Sequence, residues 1–212
     1  MKHRRTTPLA KLRGALLLLT LIALFISQSA SAVTIRSITI SSAMHNYVIG
    51  ETYGGGIVAY ILVSGDPGYS ATVQHGLIAA TADQNTRIIW AVSDKQNTFV
   101  SGNAVSTDTA IGTGLANTNL IIAQNGAGTS YAAGLARAYT GGSYSDWYLP
   151  SKNELNKLNL KNSESGVFVA NAYYWISSED NATRALSQYF SEGRSISIGK
   201  DSSVRVRAVR SF

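Results

Sequence analysis

Pro150-Ser151-Lys152-Asn153-Glu154 constrains this chain more than any other short stretch, because it fixes where a helix must start. A serine followed three residues later by glutamate has the spacing of a capping box, in which each side chain satisfies the other's free backbone amide. Leu155 and Leu158 then fall on one inward face. The closing segment Val204-Arg205-Val206-Arg207-Ala208-Val209 alternates small apolar and basic residues, the period of a strand. A helix in the interior of the chain and a strand at its end already argue against an all-helical or all-β domain.

The remaining pattern agrees with that mixture. Ile57 to Val63 is an apolar, β-branched run that reads as a buried strand. Ser64-Gly65-Asp66-Pro67-Gly68 is a turn, and His75 to Ala80 begins a second strand, so a hairpin is expected. Ser93 to Thr113, rich in Ser, Thr, Asn, Asp and Gly, reads as an exposed loop. Leu115, Ile121 and Ile122 predict a helix ending near Asn125-Gly126, and Tyr131, Leu135 and Ala138 another ending near Gly141-Gly142. Tyr173–Ser178, Ala185–Phe190, Ser195–Ile198 and Val204–Val209 read as an antiparallel meander. The class is therefore α+β, an antiparallel sheet with about three helices in the middle of the chain and the terminal strands as neighbours.

The first 32 residues read as a signal peptide. Lys2, Arg4, Arg5, Lys11 and Arg13 precede the apolar run Ala15 to Ile26, and Ala30-Ser31-Ala32 offers small residues for cleavage after Ala32. An apolar core of 12 residues is short against the ~20 that span a bilayer, so no stable membrane span is expected after cleavage. The expected location is the periplasm, the cell surface or the exterior of a bacterial envelope. Five of the 18 basic residues and none of the 12 acidic ones lie in this segment, leaving 13 against 12 in the remainder. A near-neutral domain gives no compositional support for nucleic-acid binding. With no cysteine, disulfides, thiol catalysis and Cys-ligated metal sites are excluded.

Residues 33–46 form a lead-in to a domain expected over 47–212. Tyr47-Val48-Ile49-Gly50-Glu51, Gly55-Gly56-Ile57-Val58, His75 to Ala80, Asp83-Gln84, Ala110 to Gly114, Trp147-Tyr148-Leu149-Pro150-Ser151, Glu154-Leu155, Tyr174 to Ser178 and the terminal arginine strand occur in an order that resembles the Lcl C-terminal domain family. That family is named for the Legionella collagen-like adhesin. The resemblance implies a C-type-lectin-like fold. Trp147 to Ser151 with Glu154 is also similar to the arginine-leucine-proline motif of formylglycine-generating enzymes, whose cysteine chemistry this chain lacks. From the adhesin, the resemblance implies binding to sulfated glycosaminoglycans and trimer formation, although no collagen-like tract is present here.

Arg205 and Arg207 share one strand face, and with Arg194, Lys200 and Arg210 they are the candidate polyanion-binding residues, since guanidinium forks match sulfate geometry. The competing reading pairs these arginines internally with Asp146, Glu154 or Glu179. A structural role is favoured for Arg205 and Arg207, and a surface role for Lys200 and Arg194. Glu179-Asp180-Asn181 could supply calcium oxygens, but an ordinary polar turn fits as well. His45 and His75 form no metal motif, so neither a cofactor nor a metal is expected, and no catalytic residues are assigned. Gly54-Gly55-Gly56 precedes a strand, unlike a phosphate loop, and reads as close backbone packing. The expected function is an exported, non-catalytic, lectin-like module that adheres to a glycan or sulfated polyanion. The alternative is an envelope structural or assembly protein with a protein partner, and homo-oligomerisation is open in both readings.

Overall fold

A computed structural model of the chain describes residues 45–100 and 107–212. The signal peptide expected over 1–32, residues 33–44 of the expected lead-in and residues 101–106 of the expected loop lie outside the described residues.

The capping box forms as its spacing predicts. Ser151 Oγ accepts the Glu154 N–H at 3.4 Å, and Glu154 Oε2 accepts the Ser151 N–H at 2.8 Å. The helix Lys152–Leu160 follows, with Leu155 and Leu158 fully buried. Among the described residues it is the third of four α-helices: α1 Gly114–Asn125, α2 Ala132–Arg137, α3 Lys152–Leu160 and α4 Asn162–Ser165. Short 3-10 turns stand at Ser93–Lys95 and Gly141–Ser143.

Nine strands, β1 Thr52–Tyr53, β2 Gly56–Ile61, β3 Gly76–Ala79, β4 Asn85–Ile88, β5 Tyr173–Glu179, β6 Arg184–Tyr189, β7 Arg194–Gly199, β8 Val204–Val206 and β9 Val209–Ser211, build two sheets among the described residues. The first has the order β1-β2-β3-β9 and is antiparallel, with Ile57 opposite Ala79 and Ile78 opposite Arg210. The second has the order β4-β8-β5-β6-β7. The hairpin expected from Ile57–Val63 and His75–Ala80 is the β2–β3 pair.

Four expectations need correction. Two sheets form where one was expected. The strand read over Val204–Val209 divides between them, because Arg207 and Ala208 carry the chain from one sheet to the other. There the Gln84 side chain accepts the Ala208 N–H, and Ala80 donates its N–H to the Ala208 carbonyl, so β8 and β9 bond to different neighbours. Finally, β8 runs parallel to β5, with Tyr174 opposite Arg205, so the C-terminal strands are not a pure meander. The expected exposed loop Ser93–Thr113 is also anchored at both described ends, with Val100 and Thr107 buried.

β3 and β5 are buried on both faces and divide the core into two clusters. Ile78 and Trp175 join one that holds Trp90, Trp147, Ile121 and Leu149, while Leu77, Ala79, Tyr174 and Ile176 join another with Leu155, Leu158, Phe168 and Phe190. All three tryptophans of the chain are buried, each removing roughly 150–250 Å² from water. Each indole N–H also finds a carbonyl: Trp90 donates to Ile176 at 2.8 Å, Trp175 to Ile88 at 2.7 Å and Trp147 to Gly141 at 3.2 Å. The first two bonds are reciprocal and fasten the segment after β4 to β5. Tyr148 and Val209 exchange backbone bonds of 2.8 and 2.9 Å, joining the stretch before α3 directly to the terminal strand. Gly55, at φ 84°, lies against Gly141 and Gly142 where a side chain would meet backbone. No helix among the described residues is long and apolar enough to cross a membrane.

Candidate functional site

The five basic residues singled out near the C-terminus do not form one surface patch. The surface position expected of Lys200 is not observed: its side chain is 0% exposed. Its ammonium donates to Thr98 O at 2.7 Å, to Ala182 O at 2.8 Å and to the Glu179 carboxylate, and lies 5.0 Å from the centre of the Trp90 ring. Burial lowers the Lys200 pKa from its ordinary 10.5, opposed by Glu179. This arrangement ties the segment after the Ser93–Lys95 turn to the β5–β6 turn. It has no face toward a ligand.

Arg205 and Arg207 converge on one carboxylate, Asp83. Arg205 Nη1 is 2.7 Å from Asp83 Oδ2, and Arg207 Nε is 2.7 Å from Oδ1, with Arg207 Nη1 also donating to Ala80 O at 3.1 Å. Arg207 is buried and Arg205 is part-exposed. Arg210 makes a two-pronged bond to Asp146, both contacts 2.8 Å, and lies over Tyr144 at 3.7 Å from the ring centre. The Arg210 guanidinium holds the Asp146 carboxyl below its usual pKa, against a smaller effect of burial. Arg194 is the most exposed of the five, at 63%, with Glu192 3.5 Å away. Of the acids considered as internal partners of the arginines, Asp146 takes Arg210, whereas Glu179 pairs with Lys200 and Glu154 caps α3. Burial raises the Glu154 pKa although Ser151, Gly112 and Gly114 N–H groups stabilise its charge. Asp83, in the turn after β3, belongs to the Asp83-Gln84 motif of the resemblance, but nothing in the local pattern marks it as the partner of these arginines.

The calcium reading of Glu179-Asp180-Asn181 gains no geometric support. Glu179 takes the Lys200 ammonium and the Val100 N–H, and Asp180 accepts from Ser197 Oγ at 2.6 Å. Among the described residues, no group of three or more His, Asp or Glu side chains converges as a metal site.

An open cleft of about 420 Å³ lies elsewhere, within the roughly 300–1,000 Å³ of small-molecule sites. Its walls are His45-Asn46-Tyr47 and Tyr69 to Gln74, with Ile61 and Leu62 at the end of β2. The second wall belongs to the 14-residue connection 62–75 between β2 and β3. A connection of that length is long for a hairpin, and such loops commonly carry function. Here it is held in shape. Asp66 accepts the Tyr60 hydroxyl at 2.5 Å and the Val63 N–H at 3.0 Å, and its other oxygen is 2.9 Å from Lys157 Nζ. Ser70 Oγ accepts from Thr72 and Val73 N–H, and Gln74 Oε1 accepts the Tyr47 N–H at 2.6 Å, fastening one wall to the other. Tyr47 sits among His45, Tyr53 and Phe212, with ring centres 4.6–4.7 Å away.

This is an α+β domain whose charged residues near the C-terminus mostly hold the fold, with an open polar and aromatic cleft at one side. Residues 79–210 match the Lcl C-terminal domain, and the chain belongs to that family. Comparison with curated proteins gives no match. Among solved structures, the chain is similar to a fimbrial protein from Bacteroides ovatus ATCC 8483, with 17% identity and a TM-score of 0.45. The similarity covers 73% of this chain and 43% of that one, so this chain spans under half the length of the fimbrial protein's chain.

Proposed function

We propose that the chain is an exported, non-catalytic binding module of adhesin type, with a C-type-lectin-like architecture, that attaches to a glycan or sulfated polyanion at or beyond the bacterial envelope. Membership of the Lcl C-terminal domain family supports an adhesive role. The observation that carries the reading is the contrast between interior and surface. Lys200, Glu179, Asp83, Arg207 and Glu154 hold loops and strand ends together, whereas a pre-shaped cleft lined by hydroxyl, amide and aromatic groups opens to solvent. That combination suits recognition better than proton transfer or nucleophilic attack.

The ion pairs also limit where a polyanion would bind. Of the five basic residues, Lys200, Arg207 and Arg210 are engaged in the fold, so whatever contact this group makes with sulfate falls to Arg194 and the part-exposed Arg205. The test is retention of the purified protein on immobilised heparin beside a panel of neutral glycans, at low and moderate salt. Retention on either supports adhesion. A polyanion mode is lost as salt rises and is weakened by Arg194→Gln with Arg205→Gln. Absence of retention on both, with a co-purifying protein partner, contradicts the reading and favours an assembly role.

A further inference from the structure

We propose that the cleft between residues 45–47 and 69–74 is a binding site for an uncharged saccharide. The inference rests on the adhesion reading and names the ligand class for one site. Among the described residues no Lys, Arg, Asp or Glu lines the cleft, so a sulfate or carboxylate entering it would meet no opposite charge from them. What the walls offer instead are Asn46 and Gln74 amides, Ser70 and Thr72 hydroxyls, and the rings of Tyr47, Tyr69 and His45. Those are the complements of a neutral sugar. Its hydroxyls exchange hydrogen bonds with neutral amides and hydroxyls, and the apolar C–H face of a pyranose places weakly positive hydrogens against the negative face of an aromatic ring.

Tyr69 is the stacking residue. It is 43% exposed, more than Tyr47, which is enclosed by aromatic neighbours. The Asp66 anchor and the Ser70 bonds hold the loop bearing Tyr69 before any ligand arrives, so binding orders little chain. The Tyr47–Gln74 bond fixes the spacing of the walls in the same way.

The test uses the purified protein on an array of neutral oligosaccharides, with each hit titrated calorimetrically as the free saccharide. Wild type is expected to bind a neutral saccharide with little change between ~0.05 and ~0.5 M salt. Tyr69→Ala, a change at an exposed position, should weaken binding roughly five- to tenfold, and Tyr69→Phe, which keeps the ring, should retain it. Neutral-saccharide binding that Tyr69→Ala leaves unchanged overturns the cleft assignment while adhesion stands. Binding to heparin alone, abolished by salt, overturns the neutral-ligand assignment and again leaves adhesion standing. Absence of binding to any saccharide overturns this inference and the adhesion reading together.

Discussion

Lys200 and Glu179 form an ion pair with side-chain exposures of 0% and 3%, so little water reaches either charge. The lysine ammonium also satisfies the carbonyls of Thr98 and Ala182, so three separate segments meet at one cation. Removing one member of such a pair leaves the other's charge buried. Lys200→Ala is therefore expected to lower unfolding free energy by about 3–5 kcal/mol in chemical denaturation. The same variant, assayed where it is folded, should keep wild-type saccharide affinity. A variant of unchanged stability would contradict the structural role.

Asp83 serves two arginines from different depths, Arg207 buried and Arg205 part-exposed. Asp83→Asn keeps the shape but removes the charge facing Arg207, and should cost about 3 kcal/mol by thermal or chemical unfolding. Arg205→Gln should cost far less, because solvent screens its half of the arrangement. Equal losses in the two variants would show that the pair does not divide in this way.

Asp66 links stability to pH and the cleft to the core. Burial alone would raise its pKa, but bonds from Lys157, Tyr60 and the Val63 N–H outweigh that and hold it below the ordinary 3.8. In acid the unfolded chain therefore takes up this proton before the folded one does. The stabilisation from ionised Asp66 is complete above about 3.8 and is lost as pH falls through the lower folded value. Unfolding followed across that range should show wild type losing stability relative to Asp66→Asn as the solution is acidified. Asp66→Asn should also weaken saccharide binding at neutral pH by loosening the loop that carries Tyr69; identical pH profiles for the two proteins would refute the linkage.

The readable parts of this sequence were the ones governed by neighbours. Ser151 and Glu154 cap α3 through bonds three residues apart, and the β2–β3 hairpin follows from two apolar runs and a turn. β4 was not read, because Asn85, Thr86 and Arg87 are exposed and show no apolar alternation; its pairing comes from β8, over a hundred residues on. The division of the terminal strand depends on the Gln84 side chain accepting the Ala208 N–H, a bond without a local sequence mark.

The site follows the same division. Arg205 and Arg207 could be placed on one face by alternation, yet their shared partner Asp83 could not. Lys200 follows a strand in a polar turn, the usual setting of an exposed lysine, and only distant Thr98, Glu179 and Ala182 draw it inside. The cleft was missed because its walls are separated in sequence and meet through the Tyr47–Gln74 bond. The available signal was the length of the 62–75 connection, with Tyr69 and four polar residues beyond its Pro67-Gly68 turn.

We propose that recognition belongs to the cleft and that the basic residues near the C-terminus chiefly hold the fold. The most direct measurement compares calorimetric affinity for a neutral saccharide identified on the array in wild type, Tyr69→Ala and the Arg194→Gln/Arg205→Gln double variant. Tyr69→Ala should bind roughly five- to tenfold more weakly, and the arginine variant should keep wild-type affinity. The reverse pattern, with affinity lost in the arginine variant and preserved in Tyr69→Ala, would contradict it.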